Sequence, residues 1–127
     1  MKNKLIVITG TTRGIGYGLA KAFLSSGHSV SISGRSQETV EKAVANLGSK
    51  FEAERVIGLA CDVTVPVQVQ ELWDRSVEKF GKVDIWINNA GLSGNQGMIW
   101  ELSPEDAQVP IQTNILGTIY GTQVAMV

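Results

Sequence analysis

The sequence predicts a doubly wound α/β fold, in which helices cover both faces of a parallel sheet. Short runs rich in Ile and Val alternate with longer stretches whose apolar residues recur every three or four positions, as expected for buried strands and amphipathic helices. Four strand–helix units follow one another within 127 residues, and such a series requires parallel strands joined by crossover helices. A chain of this length has room for one domain, so residues 1–127 are expected to form one α/β unit whose sheet is truncated after about four βα units.

Glycines and capping residues divide the chain into elements. The predicted strands are residues 4–9, 29–33, 56–61 and 83–87. The predicted helices are residues 15–26, residues 36–47, a third that Thr64 caps and Gly81 ends, and a last one that starts at Ser103 and Pro104. Gly48 is expected to end the second helix, and Ile15 and Ala22 to lie on the buried face of the first. Pro110 lies inside the last helical pattern, so that helix should kink or begin late.

Composition restricts the class of protein. A net charge of -1 and a pI of about 5.8 argue against a general binder of nucleic acid or anionic membranes. The single cysteine, Cys61, cannot form an internal disulfide and has no second cysteine with which to build a metal cluster, so no metal site is expected. The first apolar run, residues 5–9, is too short for a signal peptide or a membrane span, and a cytoplasmic location is the default expectation.

A glycine loop at residues 9–16 (TGTTRGIG) joins the first strand to the first helix. A diphosphate binds to backbone N–H groups at the N-terminus of a helix, and side chains would obstruct its approach. Gly10 would permit the tight turn, Gly14 would let the backbone meet the phosphate, and Gly16 would let the helix pack close to the strand. A plain turn is the alternative, but the position of the loop between the first strand and the first helix favours a phosphate site.

This loop and three later motifs together resemble the short-chain dehydrogenase/reductase family. The spacing Thr-Gly-x-x-x-Gly-Ile-Gly is similar to the cofactor loop of that family. Asp62 and Val63 after the third strand, residues 88–91 (NNAG) after the fourth, and Asn114 in the last helix match further family motifs in order and separation. The resemblance covers residues 4 to about 122, and it implies a Rossmann-type fold with a nicotinamide dinucleotide along the C-terminal ends of the strands. Residues 85–91 (IWINNAG) also resemble chlorophyll b reductase-like members.

The resemblance implies a role for each matched residue. Asp62 would accept a hydrogen bond from the adenine amino group beside the backbone of Val63, and residues 89–91 would pass beneath the adenosine ribose. Asn88 would support the sheet, and Asn114 would hold a water molecule in the proton relay, as the one catalytic residue of the family present in this chain. The expected cofactor-binding residues are Gly10, Thr12, Arg13, Gly14, Ile15, Gly16, Arg35, Asp62, Val63, Asn89, Ala90 and Gly91.

The end of the second strand favours NADP over NAD. NAD-specific relatives place an acidic residue there to bind both ribose hydroxyls, whereas this chain has Gly34 followed by Arg35. Arg35 offers a permanently charged planar donor to a 2′-phosphate, and Arg13 in the glycine loop can approach the same phosphate. The alternative is that both arginines are only solvated surface charges.

The remaining catalytic residues of the family are missing from this chain. The resemblance implies a Ser, and a Tyr and a Lys four residues apart, all beyond Asn114, acting in carbonyl reduction or alcohol oxidation. Tyr17 and Lys21 have that spacing, but they lie in the first helix and are expected to face the adenosine side or solvent. No useful turnover is expected from this chain alone.

Three interpretations remain open at this stage. The chain is the cofactor-binding half of an NADP-dependent oxidoreductase, a non-enzymatic NADP-binding module, or an inactive fragment of a split or truncated gene. The fourth strand would be an open sheet edge and the last helix would expose an apolar face. A homo-oligomer or a complementary C-terminal half is therefore the expected partner, besides NADP(H) and a small carbonyl or alcohol substrate of the parent enzyme.

Three further side chains are expected to be structural, and the role of a fourth is left open. His28 is interpreted as a surface or strand-edge residue, Cys61 as a small buried strand residue, and Trp86 as part of the core. Trp100, in the loop of residues 92–103, either borders the substrate side of a full-length relative or simply packs.

Overall fold

The computed structural model describes residues 3–91 and 98–127 of the chain. The strands are β1 (Leu5–Ile8), β2 (Ser29–Gly34), β3 (Val56–Ala60) and β4 (Ile85–Ile87). The helices are α1 (Gly14–Ser25), α2 (Gln37–Lys50), α3 (Pro66–Phe80), α4 (Pro104–Ile111) and α5 (Gly117–Met126), with a π-helical segment at Gln112–Leu116 between the last two. The strands form one parallel sheet in the order β3-β2-β1-β4, which confirms the predicted α/β architecture.

Side chains of β1 alternate between two hydrophobic cores, one on each face of the sheet. Ile6 and Ile8 pack with the buried side chains of α1 and α2, whereas Leu5 and Val7 pack with those of α3 and with Tyr120 of α5. Because successive residues of a strand point to opposite faces, this alternation places helices on both sides of the sheet. The sheet is therefore doubly wound, as the sequence predicts.

Two glycines let α5 lie close to the segment after β3 and to the C-terminal end of β4. A β-carbon at Gly117 would lie 2.5 Å from Cγ2 of Val63, and one at Gly121 would lie 2.8 Å from Nε1 of Trp86. The Trp86 indole donates a hydrogen bond to Asn88 at 2.8 Å and packs against Trp73 of α3. Trp86 is nevertheless only half-buried, because β4 is an edge strand that pairs with β1 alone among the described strands.

The buried face of α1 differs from the prediction. Gly16, Ala20 and Leu24 are its buried residues, whereas Ile15 is 78% exposed and Ala22 is also exposed. The close approach of Gly16 to the preceding loop sets this rotation of the helix and turns Ile15 toward solvent. Apolar periodicity alone could not reveal it, because the residues in contact with the sheet are small.

Two helix boundaries also differ from the prediction. Gly48 does not end α2, which begins after the capping residue Ser36 and continues to Lys50. Thr64 does not cap α3, because its hydroxyl and its N–H both donate to Oδ1 of Asp62, and the helix begins at Pro66.

The last helical region is divided as the proline suggests, but it does not begin late. Ser103 accepts a hydrogen bond from Asp106 N at 3.0 Å and caps a helix that starts at Pro104. The π-helical segment follows directly after the turn that contains Pro110. A proline supplies no N–H and crowds the preceding turn, which is a physical reason for irregular pairing there.

His28 is buried, contrary to the expectation of a surface or strand-edge residue, with an exposed fraction of 3%. Its Nδ1 accepts a hydrogen bond from Lys4 N at 3.2 Å, and its ring packs edge-on against Phe23. The guanidinium of Arg55 donates to its carbonyl oxygen. Lys4 and Arg55 are distant in sequence, so no local pattern marks the site.

Within the described ranges, none of the helices is long and apolar enough to cross a membrane. The expected loop at residues 92–103 lies partly outside the described residues, which resume at Met98 with a short 3-10 turn, Ile99–Glu101. Trp100 in this turn is 78% exposed, so simple packing does not explain it.

Asp84 joins the N-terminal ends of β1 and β4. Its Oδ2 accepts a hydrogen bond from Leu5 N at 2.8 Å, and its Oδ1 lies 3.2 Å from Nζ of Lys82 and 3.9 Å from Nζ of Lys4. The Leu5 N–H, followed by the two ammonium groups, lowers the pKa of Asp84 below its ordinary value of 3.8, against an opposing effect of burial.

Acid should therefore destabilise the fold through Asp84. Its folded-state pKa lies below its unfolded-state pKa, so the stabilisation is present above the unfolded value and is lost as the pH falls through the folded value. Asp84→Asn should reduce the decrease in the free energy of unfolding that wild type shows between about pH 5 and pH 3. Urea titration measures it. Asp74→Asn, at an exposed carboxylate of α3, is the matched control and should keep the wild-type slope. Equal slopes for wild type and Asp84→Asn would contradict this role.

Candidate functional site

A cleft of about 340 Å³ opens at the C-terminal ends of the strands. Its lining residues are Gly10, Thr12, Arg13, Gly14, Ile15, Gly34, Arg35, Cys61, Asp62, Val63, Asn89, Ala90, Gly91 and Thr113. Two other hollows, of about 320 and 450 Å³, lie over β3 and α3 and between α3 and α5. Volume therefore does not single out the cleft, whereas its lining does, because it gathers side chains from five separate segments at the C-terminal edge of a parallel sheet.

The cleft brings together the residues that the sequence pattern selected. All of the expected cofactor-binding residues line it except Gly16, which lies beneath the glycine loop. Asn114 is not a lining residue, but its Oδ1 would lie 3.1 Å from a β-carbon at Gly91, at the margin of the cleft. Cys61 and Thr113 also line the cleft and were not selected, because an isolated Cys or Thr carries no motif.

Thr9 holds the glycine loop against the segment that follows β4. Its hydroxyl accepts hydrogen bonds from Asn89 N and Ala90 N, both at 3.0 Å, and its side chain is buried. The Asn89 amide donates in return to the carbonyl oxygen of Gly10 at 2.9 Å. The sequence motif includes Thr9 but did not reveal this role, because a threonine at the end of a strand is ordinary and its partners lie 80 and 81 residues away.

Thr11 fixes the same loop to the end of β2. Its N–H donates to the Ser33 carbonyl oxygen at 2.7 Å, and its hydroxyl accepts from Ser33 N at 3.3 Å and donates to the Ile8 carbonyl oxygen. Thr11 is fully buried. The pattern of residues 9–16 marks this loop but does not reveal that Thr9 bonds to the segment after β4 and Thr11 to the end of β2.

Gly10 and Gly16 are required by close contact. Gly10 has a φ of +64°, and a β-carbon there would lie 2.6 Å from Cα of Ala90. A β-carbon at Gly16 would lie 2.5 Å from the Gly10 carbonyl oxygen and 2.5 Å from Nδ2 of Asn89. These distances are too short for any side chain, so both glycines are needed for the β1–α1 turn to pack on residues 89–90.

The N-terminus of α1 faces the cleft without a side-chain cap. Arg13 occupies the N-cap position and makes no capping hydrogen bond, and the first turn carries no acidic residue. Gly14 follows with a φ of +62°, and a β-carbon there would meet nothing within 4 Å. Ser36 and Ser103 cap α2 and α4, whereas α3, which starts after Val65, also lacks a side-chain cap but does not border the cleft. The free N–H groups of α1 thus border open space, which is the geometry of an anion site.

Two arginines stand at the rim of this site. Arg13 and Arg35 both line the cleft and are exposed, and neither forms an ion pair within the described ranges. Planar guanidinium groups bind phosphate oxygens well, since they present several donors in a fixed arrangement. The rim therefore carries two permanent positive charges that the described protein does not neutralise.

Asp62 lines the cleft where the chain leaves β3. Its Oδ1 accepts from Thr64 N at 2.9 Å and from the Thr64 hydroxyl at 2.7 Å, and its own N–H donates to Gln68 at 2.8 Å. These bonds hold the turn after β3 in one conformation. Among the described residues, Oδ2 accepts no hydrogen bond, so this oxygen can accept one from a ligand.

Cys61 forms part of the cleft lining but is unreactive. It is 2% exposed, and its N–H donates to the Gly34 carbonyl oxygen at 2.8 Å. Burial, with smaller contributions from the negative charges of Asp62 and Glu71, raises the pKa of the thiol to about 12. Because the nucleophile is the thiolate, this group stays protonated near pH 7. The expected burial of Cys61 is confirmed, but its place in a strand is not, since β3 ends at Ala60.

Asn88 and Asn114 have distinct structural roles. Asn88 accepts from the Trp86 indole and donates to the Thr122 hydroxyl at 3.2 Å, which links β4 to α5. Asn114 lies on the π-helical segment, and Thr113 beside it is buried at the cleft. A π-helical turn displaces the following residues relative to a regular helix, and it positions this segment over Gly91.

Tyr17 and Lys21 do not reach the cleft. Tyr17 packs against the hydrophobic core formed by α1, α2 and the sheet, and Lys21 is exposed on α1. Neither side chain lines the cleft. Their spacing therefore has a structural explanation and carries no acid–base site. Within the described residues, no cluster of metal-binding side chains is present either.

Comparison with known proteins agrees with this arrangement. A family model described as short chain dehydrogenase matches residues 4–127. The chloroplastic chlorophyll(ide) b reductase NOL of Oryza sativa subsp. japonica is 44% identical over 113 residues, which are 88% of this chain and 33% of that protein. The 3alpha-hydroxysteroid dehydrogenase of Mediterraneibacter gnavus is 34% identical over 125 residues, which are 98% of this chain and 50% of that protein. The chain thus spans at most half the length of these curated relatives.

Solved structures show the same relation. A short chain dehydrogenase/reductase from Burkholderia phymatum, in complex with NAD, has a TM-score of 0.91 at 34% identity, over 98% of this chain and 43% of that one. The structure of ElxO with NADPH bound has a TM-score of 0.87 at 38% identity, over 99% of this chain and 50% of that one. The fold is therefore the truncated Rossmann sheet of these proteins.

The contact at Gly16 can be tested by adding one methyl group. Gly16→Ala should lower the free energy of unfolding by about 1–3 kcal/mol, because the β-carbon would meet backbone on one side and Asn89 on the other. Gly18→Ala is the matched control in the same helix, where a β-carbon meets nothing within 4 Å; it should raise stability by about 0.5–1 kcal/mol. Urea titration measures both, and a stabilising Gly16→Ala would contradict the packing described.

Proposed function

Because this chain belongs to the short-chain dehydrogenase/reductase family, we propose that it supplies the NADP(H)-binding half of an NADP-dependent oxidoreductase. The parent reaction is carbonyl reduction or alcohol oxidation, and the cofactor supplies or accepts the hydride. Solved neighbours are described in complex with NAD, NADH or NADPH, which supports a nicotinamide dinucleotide as the ligand. The curated relatives include both reductases and dehydrogenases, which supports hydride transfer as the shared chemistry.

The uncapped N-terminus of α1 is the observation that carries this proposal. Its free N–H groups and the open space at Gly14 form a cradle in which a diphosphate fits without displacing a side chain. The helix dipole favours negative charge at this end. Thr12 and Ile15 flank the cradle and would line the pyrophosphate and the adjoining ribose.

Arg13 and Arg35 support NADP as the preferred dinucleotide. No acidic residue stands at the end of β2, where Gly34 precedes Arg35, so a 2′-phosphate would meet two positive charges and no carboxylate there. A hydrogen bond to a charged group contributes about 1.5–3 kcal/mol. Exposure to solvent reduces that value, and we expect a preference of roughly ten- to hundred-fold for NADP.

The segments that follow β3 and β4, on either side of the glycine loop, would hold the adenosine and the nicotinamide side. Asp62 would accept from the adenine amino group through Oδ2, beside the backbone of Val63. Residues 89–91 would support the ribose, held in place by Thr9. Asn114, at the margin of the cleft next to Gly91, would position a water molecule for the proton relay.

The acid–base residues would come from outside this chain. A positioned acid or base contributes about 10²–10⁴ in rate, and Tyr17 and Lys21 do not line the cleft. We therefore expect no useful turnover from residues 1–127 alone. The second candidate is a dinucleotide-binding module without catalysis, and it is favoured by the same observation.

A cytoplasmic location also remains a prediction, since the NOL relative is described as chloroplastic.

An apolar surface on the last helices supports self-association. Its exposed side chains are Val109, Ile111, Ile115, Leu116 and Ile119. Exposed apolar side chains and an edge strand such as β4 both favour contact with another chain. We infer that a second copy covers it in solution, and a complementary C-terminal half is the other occupant that the test distinguishes.

Calorimetric titration with NADP⁺ and NAD⁺ tests the cofactor proposal. Wild type should bind NADP⁺ roughly ten- to hundred-fold more tightly than NAD⁺, and Arg35→Ala should remove most of that preference while leaving NAD⁺ affinity nearly unchanged. Arg75→Ala, at an exposed arginine of α3 that does not line the cleft, is the matched control. A folded sample that binds neither dinucleotide would refute the proposal.

Sedimentation velocity tests the association. Wild type should sediment as a dimer or larger at micromolar concentration, and Ile119→Glu should shift it toward monomer because a buried carboxylate opposes the contact. Val67→Glu, at a residue of α3 that is also well exposed, should leave the distribution unchanged. A wild-type monomer would exclude the second copy and point to the complementary half.

A further inference from the structure

A side chain at the end of β2 would collide with Thr12. A β-carbon at Gly34 would lie 2.8 Å from Cγ2 of Thr12 and 3.5 Å from its Oγ1. It would also lie 3.3 Å from Cγ2 of Val40, on α2. Both branches of the Thr12 side chain lie on the side of position 34. Only the χ1 rotamer that turns the β-hydrogen of Thr12 to the nearer position would relieve the contact, and a β-branched side chain is restricted at χ1.

Backbone movement cannot relieve this contact easily. Thr11, next to Thr12, is joined to Ser33, next to Gly34, by the hydrogen bonds from Thr11 N to the Ser33 carbonyl and from Ser33 N to the Thr11 hydroxyl. Thr11 and Val40 are both buried. The glycine loop and the strand end are thus held at one separation, and Val40 closes the other side.

We propose that Thr12 and Gly34 form a steric pair that keeps every side chain, and a carboxylate above all, out of the end of β2. Thr12 is then a determinant of dinucleotide preference in addition to the two arginines. A carboxylate at this end of the strand would bind the ribose hydroxyls of NAD and repel a 2′-phosphate. This inference rests on the proposed function for its consequence, although the steric contact itself does not.

The pair has a definite consequence for changes at position 34. Gly34→Asp alone cannot convert the site to NAD, because the new β-carbon meets the Thr12 methyl group before the carboxylate reaches its place. Thr12→Ser removes that methyl group and keeps the hydroxyl at its longer distance. Thr12→Val keeps both branches and is therefore the matched control.

Thermal unfolding without cofactor tests the contact. Gly34→Ala should lower the midpoint by roughly 5–10 °C, Thr12→Ser/Gly34→Ala should recover at least about half of that loss, and Thr12→Val/Gly34→Ala should recover none. If Gly34→Ala fails to fold, a folded Ser double variant beside an unfolded Val double variant supports the pair equally. A negligible loss for Gly34→Ala, equal behaviour of the two double variants, or failure of both to fold would overturn it.

Binding measurements test the consequence. Thr12→Ser/Gly34→Asp should bind NAD⁺ at least about tenfold more tightly than Gly34→Asp alone, and Thr12→Val/Gly34→Asp should not. Equal NAD⁺ affinities for all three would remove Thr12 as a determinant of preference. If wild type binds no dinucleotide, the proposed function fails, while the unfolding midpoints still decide whether the steric pair exists.

Discussion

The buried hydroxyl of Thr9 is the contact on which the cleft depends. It accepts two backbone N–H groups from residues 89–90, while the Asn89 amide donates back to Gly10. Without these bonds, the glycine loop and the segment after β4 would have no fixed separation, because they belong to opposite parts of the chain. The close packing of Gly10 on Ala90 and of Gly16 on Asn89 is possible only while this connection holds. Each bond contributes about 1 kcal/mol, but its loss would leave buried donors unpaired at the centre of the site.

Most of the fold could be predicted from local pattern. Each predicted strand exists within a few residues, since a buried parallel strand shows as a short apolar run, and glycines and serines marked several helix ends. Two of the errors come from contacts between distant parts of the chain. Ile15 turns outward because Gly16 packs on Gly10 and Asn89, and His28 is buried where it accepts the N–H of Lys4. The error at Thr64 is local, because its bonds to Asp62, two residues earlier, replace the expected helix cap.

The parts of the candidate site that depend on backbone conformation could be predicted from the sequence. Gly10, Gly14 and Gly16 could be recognised from the sequence, because only glycine tolerates those conformations and contacts and because their spacing forms a motif. The structural roles of Thr9 and Thr11 could not be recognised, because a threonine whose hydroxyl bonds to distant backbone groups looks in the sequence like any strand residue. Thr12 belongs between these classes: the family resemblance included it among the cofactor-binding residues, and only the structure reveals that its methyl group lies beside Gly34.

Cys61 gives the cleft a built-in chemical reporter. The chain has a single thiol, it is protonated and covered, and it follows β3 with its N–H bonded to Gly34. An alkylating reagent would therefore modify only molecules in which the end of β3 has separated from β2. The rate of modification would measure how often this wall of the cleft opens, and any ligand that bridges the two strands would slow it.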